Sequence, residues 1–431
     1  MRLVLITLST IFATSAAAQV ADSAQAARVH VRAAALSLRD GDSTAAVNHL
    51  ERAVAAWPQQ GAYRLRLANL AARTGRGPLA LTALDTLVRQ GSGWSDLDAV
   101  ATLLVADPGY QTLAGRMRQA TGPMRRSAVL AALPDTMLHP EGVAWDGARE
   151  RWLVSSIRQR RVVAVERGGT VRPFLAPGQD GLDAVFGMAV DSSRGLLWVA
   201  SSAVPQQEGY AAADSGRAGL FAFDLGTGEL RGRVGLPPVA GGHLLGDLTI
   251  APDGSVFASD SRYPAVYRAR GLSGIAEVVV ERDPLFRSLQ GLALSGDGQW
   301  LYLADWSHGL LRVDLSTRRV MSVPLTVAGT TLGIDGLLRL DARRLIGIQN
   351  GIAPPRVVLL TLDRTGERII GVEPLDRHLP LAMEPTLGVL AAGSLVYVAN
   401  SPWASYDDDG RPLAGAAWPR PTLLRLPLST Q

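Results

Sequence analysis

Four oxygen-bearing side chains, Glu141, Asp247, Gln290 and Asp335, stand at or beside the same point of a segment that this 431-residue sequence repeats six times. The segments begin Glu141-Gly142-Val143, Phe186-Gly187-Met188, Gly246-Asp247-Leu248, Gln290-Gly291-Leu292, Asp335-Gly336-Leu337 and Leu387-Gly388-Val389. If the repeats surround one axis, these oxygens converge although their residues lie far apart in sequence. Carboxylates gathered away from water repel and lose hydration, so they take up protons or hold a cation between them. An all-oxygen set suits calcium, magnesium or manganese, and zinc less well without His or Cys. The same acids can also cap loops or accept backbone N–H groups, and both readings stay open.

Other chemistries find no support. The sequence has no Cys, which removes a thiol nucleophile and any disulfide framework. It has no Gly-x-Ser-x-Gly elbow, no His-Glu-x-x-His, and no phosphate or dinucleotide loop. Asp407-Asp408-Asp409-Gly410 lacks the alternation and terminal Glu of a calcium loop and reads as a solvated turn.

The elements that must position the acids are short strands. Each repeat start is followed by a turn, such as Pro252-Asp253-Gly254, and a second strand such as Val256-Phe257-Ala258-Ser259 or Leu301-Tyr302-Leu303-Ala304. The starts lie 45, 60, 44, 45 and 52 residues apart, as their numbers give. Small antiparallel sheets at this spacing are propeller blades, and six starts predict a six-bladed β-propeller over 123–431. A sandwich has no reason to repeat one strand pair six times. The last blade lacks an outer strand, and Ser127 to Ala132 is the candidate to fill it and remove an open edge.

In such a blade the start of strand one and the end of strand two share one face. That rule gathers a second set around the channel mouth: Arg158, Asp260, Arg262, Trp306, His308, Asn350 and Asn400 at strand-two ends, and Glu384 approaching the last strand one. These are the candidate substrate-binding residues, with a small molecule as the expected ligand.

Upstream, residues 19–122 read as helices, rich in Ala and Leu with apolar positions three and four apart. A shift of 34 superposes Ala34 on Ala68, Gly41 on Gly75, Ala46 on Ala80 and Leu50 on Leu84. That period resembles the tetratricopeptide repeat, which implies either a surface that recruits a protein partner or a packing appendage. Before it, Arg2, the apolar run Leu3 to Ala13 and Ala16-Ala17-Ala18 have the layout of an export leader over 1–18, which places the protein in the periplasm or outside the cell. No later stretch is apolar for the roughly 18 residues of a membrane span. Net charge is +4 and every basic residue is Arg, without the aromatic-interleaved stripe that nucleic acid requires.

The His139-Pro140-Glu141-Gly142 opening, the Gln290-Gly291-Leu292-Ala293-Leu294-Ser295-Gly296-Asp297-Gly298 stretch and Asp335-Gly336 resemble the regucalcin/gluconolactonase/luciferin-regenerating family. The resemblance implies a channel that holds a divalent cation on a Glu, two Asn and an Asp. Glu141 matches the Glu, and Asp335 matches the Asp that serves as ligand and base. Gln290 stands in place of one Asn and Gly246 in place of the other, with Asp247 matching the family's acidic neighbour. The implied activity is metal-assisted hydrolysis of a lactone or similar ester, with Asp335 taking the proton of the attacking water. A non-enzymatic binding propeller is the alternative.

Overall fold

The computed structural model describes residues 11–407, 409–416 and 418–428. Residues 1–10 of the expected leader and Asp408 of the acidic turn lie outside the described residues, while Ala16-Ala17-Ala18 lies inside the first helix, Ile11–Arg39. The chain divides into two compact units, one of the residues up to Gly122 together with Val320–Ser322 and Ala328–Thr330, the other of the remainder from Pro123.

The first unit is helical. After Ile11–Arg39 come Ser43–Ala56, Gly61–Arg73, Gly77–Arg89, the short Ala99–Leu103 and Pro108–Thr121. The 34-residue shift has a packing basis. Ala34 and Ala68, Ala46 and Ala80, and Leu50 and Leu84 are buried at both copies, where small side chains let helices approach. Leu36, which the same shift sets on Leu70, is exposed. Gly41 and Gly75 take φ of +81° and +73° between helices, a conformation that costs glycine least. Asp42 Oδ1 then caps the second helix by accepting the Ala45 N–H at 2.8 Å. Among the described residues no helix is long and apolar enough to cross a membrane.

The region from Pro123 onward forms six four-stranded sheets. Their innermost strands are Val143–Asp146, Ala184–Asp191, Leu245–Ile250, Leu289–Leu294, Ile334–Arg339 and Gly388–Ala391, numbered here as blades one to six. Each innermost strand packs against the next, and that of blade six against that of blade one, which closes the ring. The core lies between blades. Trp198 and Leu220 of blade two, for example, pack with Val256 and Tyr267 of blade three. Blade six takes its outermost strand from the start of the propeller: Ala128–Ala132 pairs with Thr422–Pro427, Ala128 facing Arg425 and Ala132 facing Thr422. The carboxylate of Asp376, in blade five, anchors this strand by accepting the Arg126 and Ser127 N–H groups at 2.7 and 3.2 Å.

The glycine after the repeat start has a steric cause in blades one, two, four and five. A Cβ on Gly142 would sit 2.7 Å from the Phe186 carbonyl oxygen, and one on Gly291 would sit 2.3 Å from the Leu337 nitrogen. Neighbouring innermost strands approach too closely there for any side chain. Gly291→Ala is therefore expected to destabilise the propeller by about 3 kcal/mol or more, because the obstacle is backbone. A urea midpoint equal to that of the wild type would contradict the close approach. Blade three alone departs from the pattern, with Asp247 at this position.

Candidate functional site

Five of the six repeat starts line one cavity of about 200 Å³ at the channel mouth: Glu141, Phe186, Gly246, Gln290 and Asp335. Loops add Leu244, Ser261, Trp306 and Trp403. The lining thus contains two carboxylates and no basic side chain.

Each polar group is held from behind. Glu141 Oε2 accepts the Ser401 hydroxyl at 3.0 Å and the Trp403 indole N–H at 2.8 Å. Asp335 Oδ2 accepts the Asn350 amide at 2.6 Å, and Asn350 Oδ1 in turn accepts the Trp306 indole N–H at 3.1 Å. Gln290 donates its amide to Ser288 Oγ at 3.3 Å. Among the described residues, Glu141 Oε1, Asp335 Oδ1 and Gln290 Oε1 take no hydrogen bond. Three oriented oxygens remain for a ligand, the arrangement that partners behind a metal site produce.

Charge is uncompensated here. Burial, then the Asp335 charge, pushes the Glu141 carboxyl well above its ordinary range, and the Trp403 and Ser401 hydrogen bonds oppose this only in part. Burial lifts Asp335 to about 6 against the Asn350 hydrogen bond. Beside them Glu384 is pushed up to about 7 by burial, with the Asp335 charge adding to the effect. Glu384 Oε2 accepts the Ala404 N–H at 3.3 Å, and Glu384 is not among the residues that line the cavity. A cation between Glu141 and Asp335 would relieve this repulsion, and the donor set fits a hard divalent ion completed by water. Among the described residues no group of three His, Cys, Asp or Glu is placed to hold a metal, so two carboxylates and an amide are what the site offers.

The structure separates Asp247 from that set. Its carboxylate lies one layer deeper, lining a different cavity, and Oδ1 accepts the Leu248 N–H at 2.8 Å. Burial pushes it up to about 8, the Asp335 charge adding to the shift against backbone bonds from Leu248 and Leu292. The reason is the strand itself: adjacent residues point to opposite sides, so Asp247 cannot take the place of Gly246.

The expected substrate-binding residues divide. Trp306 lines the cavity and is 41% exposed, leaving its ring available for stacking. Asn350 bonds Asp335, and neither it nor Glu384 lines the cavity. Asp260 does not reach the cavity. It is fully buried, its Oδ1 accepting the Leu244, Arg262 and Tyr263 N–H groups and its Oδ2 bonding His243 Nδ1 at 2.7 Å. His243 Nε2 faces the Pro237 carbonyl at 2.8 Å, so both ring nitrogens have acceptors. Burial lowers its pKa, but the Asp260 and Pro237 bonds outweigh burial and hold the ring toward its charged form. His308 Nδ1 donates to the Leu285 carbonyl at 2.6 Å. Asn400 donates to the Arg420 carbonyl and accepts from the Thr422 N–H, both at 2.9 Å. Arg158 pairs with Glu208 at 3.2 Å, and Arg262 donates to Ser215 Oγ at 3.2 Å. These four shape the loops around the mouth.

Sequence reasoning assigned no role to Ser401, Trp403 or Phe186. Trp403 both bonds Glu141 and packs on Phe186, with ring centroids 6.1 Å apart, and on His139, 4.6 Å away. The only signal was their place at a strand end or start. His139 is wholly buried, and burial with the Arg158 charge lowers its pKa to about 3, so it serves as a neutral aromatic body.

Comparisons bear on both units. Residues 37–104 match the tetratricopeptide repeat family model. The helical unit is tetratricopeptide-like. Solved structures similar to the chain include a gluconolactonase from Xanthomonas campestris, 19% identical over 72% of this chain and 98% of that one, with a TM-score of 0.47. Virginiamycin B lyase from Staphylococcus aureus is 10% identical over 70% and 98% of the two chains, with a TM-score of 0.45. No curated protein sequence matches the chain. The chemistry of this chain therefore rests on its own residues.

Proposed function

We propose that the channel mouth is the active site of a divalent-cation-dependent hydrolase of lactones or similar esters. The carrying observation is the buried Glu141–Asp335 pair in a small cavity whose lining has no basic side chain. Glu141, Gln290 and Asp335 would hold the ion, which when bound supplies Lewis acidity toward a carbonyl and toward water. Asp335 is the base: near neutral pH its carboxylate is largely ionised, and it takes the proton from the water that attacks the ester carbon. Asn350 fixes one Asp335 oxygen and so presents the other. Trp306 covers the mouth and stacks on a flat or ring-shaped substrate, and Phe186 and Leu244 limit the water around it. The leader-like N-terminus supports an exported enzyme, with the helical unit recruiting a protein partner.

One observation favours a second reading, a binding propeller without turnover. Gly246 offers no donor where a fourth ligand would complete the set. The test uses chelator-treated protein with calcium, magnesium or manganese restored, followed by a lactone and ester panel. A cation at about 100 times its dissociation constant should add about 2.7 kcal/mol to folding, on the order of 4 °C for a unit of this size. Protein that elemental analysis shows to be metal-free, and that melts identically with all three ions, would remove the hydrolase reading in favour of binding alone.

A further inference from the structure

Two histidines face each other across the first two helices of the helical unit. His30, on Ile11–Arg39, and His49, on Ser43–Ala56, are both partly buried, and their Nδ1 atoms stand 3.4 Å apart. The ring centroids are 5.6 Å apart and the ring planes are tilted by 32°. As a hydrogen bond this contact is poor, because N–H donors ordinarily bond over roughly 2.7–3.2 Å. Among the described residues neither ring makes another hydrogen bond. Repeat packing does not call for the pair either: the 34-residue shift sets His30 on Arg64 and His49 on Ala83.

The spacing suits a metal better than a proton. Two nitrogens bound to one tetrahedral zinc, each at about 2.0–2.1 Å, stand roughly 3.3–3.4 Å apart. On a square-planar ion the same bonds would bring neighbouring nitrogens to roughly 2.8–3.0 Å. Neutral imidazole is the form that ligates a metal. Burial, then the His49 and Arg52 charges, lowers the His30 pKa below its ordinary value and so favours that form. Residues three and four away on the same helices are Ala26, Ala27, Ala33 and Ala34 around His30, and Ala45, Ala46, Arg52 and Ala53 around His49. Neither helix therefore places a carboxylate or a third imidazole one turn away, and water is left to complete the shell of an ion. We propose that His30 and His49 form a zinc site that ties the first helix to the second, with two Nδ1 ligands and water in the remaining positions. Its chemistry differs from that of the oxygen-lined cavity, since imidazole suits zinc whereas carboxylate and amide oxygens suit calcium, magnesium or manganese. The inference does not depend on the function proposed for that cavity.

The experiment is calorimetric titration of the full chain with zinc, at low salt and with calcium present in excess. The wild type should take up one equivalent of zinc that His30→Gln and His49→Gln each lose, while Asp335→Asn keeps it. Gln is a good helix former and neither histidine is fully buried, so both variants should retain the wild-type circular dichroism. Arg52 is exposed and its positive charge acts on His30. Arg52→Gln removes that repulsion and should bind zinc at least twofold more tightly, whatever becomes of the histidine variants. No uptake by the wild type, an equivalent that survives in either histidine variant, its loss in Asp335→Asn, or an unchanged affinity in Arg52→Gln would overturn the proposal.

Discussion

Asp335→Asn is expected to raise the melting temperature of the metal-free protein at pH 8, and to cut ester or lactone turnover by about 100- to 10,000-fold with calcium present. Both effects follow from one carboxylate. In the folded chain Asp335 is lifted to about 6 and Glu141 well above its usual range. Between the ordinary carboxyl range and those values the folded chain binds more protons than the unfolded chain. Its stability is therefore greatest below the ordinary range and is lost as pH rises through the lifted values. Glu384, at about 7, and Asp247, at about 8, act in the same direction, so the metal-free protein should melt progressively lower from pH 5 to pH 8. Asn at 335 removes up to about 3 kcal/mol of that loss, since each pKa unit is worth 1.36 kcal/mol. In calcium the ordering reverses, because the wild type gains the ion and the variant does not. Melting curves of both proteins at pH 5 and pH 8, with calcium and with chelator, decide it. A variant no more stable than the wild type in chelator at pH 8 would show that Asp335 carries no buried repulsion.

A chain beginning at residue 123 should fold, whereas one beginning at residue 135 should melt more than 10 °C lower or aggregate. The shorter chain lacks Ala128–Ala132 and with it the outer edge of blade six. It also lacks the Arg126 and Ser127 N–H groups, leaving Asp376, 1% exposed, with the Tyr397 hydroxyl at 3.0 Å. Leu133, buried in the blade six–blade one core, goes as well. An exposed strand edge, an under-bonded buried carboxylate and a lost core leucine together amount to about 5 kcal/mol or more. Equal melting temperatures would mean that the ring closes without this strand.

The blades could be read from the sequence because their cause is local and repeated. Gly142, Gly187, Gly291 and Gly336 mark the same close approach of neighbouring backbones, and a constraint met four times leaves a visible period. Glu141, Gln290 and Asp335 fall at the mouth for the same reason. What could not be read was partnership. Asp260, His308 and Asn400 stand at the expected strand ends, yet their polar atoms are used by loop N–H and C=O groups supplied from up to twenty-odd residues away. Asp247 shows the other limit. A single step along a strand turns a side chain to the opposite side, so its neighbour's place at the mouth said nothing about its own.

Blade six also sets the timetable of folding. Its outermost strand is among the first parts of the propeller to leave the ribosome, and its partner Thr422–Pro427 is among the last. Roughly three hundred residues must be made between them, and pairings so distant in sequence form slowly because a long loop must be closed first. Blades one to five can assemble from local hairpins while synthesis continues, but the nascent chain keeps two unmatched strand edges until its final segment arrives. That interval is when the chain is most open to pairing with another copy of itself, and a chaperone that shields strand edges would matter most then.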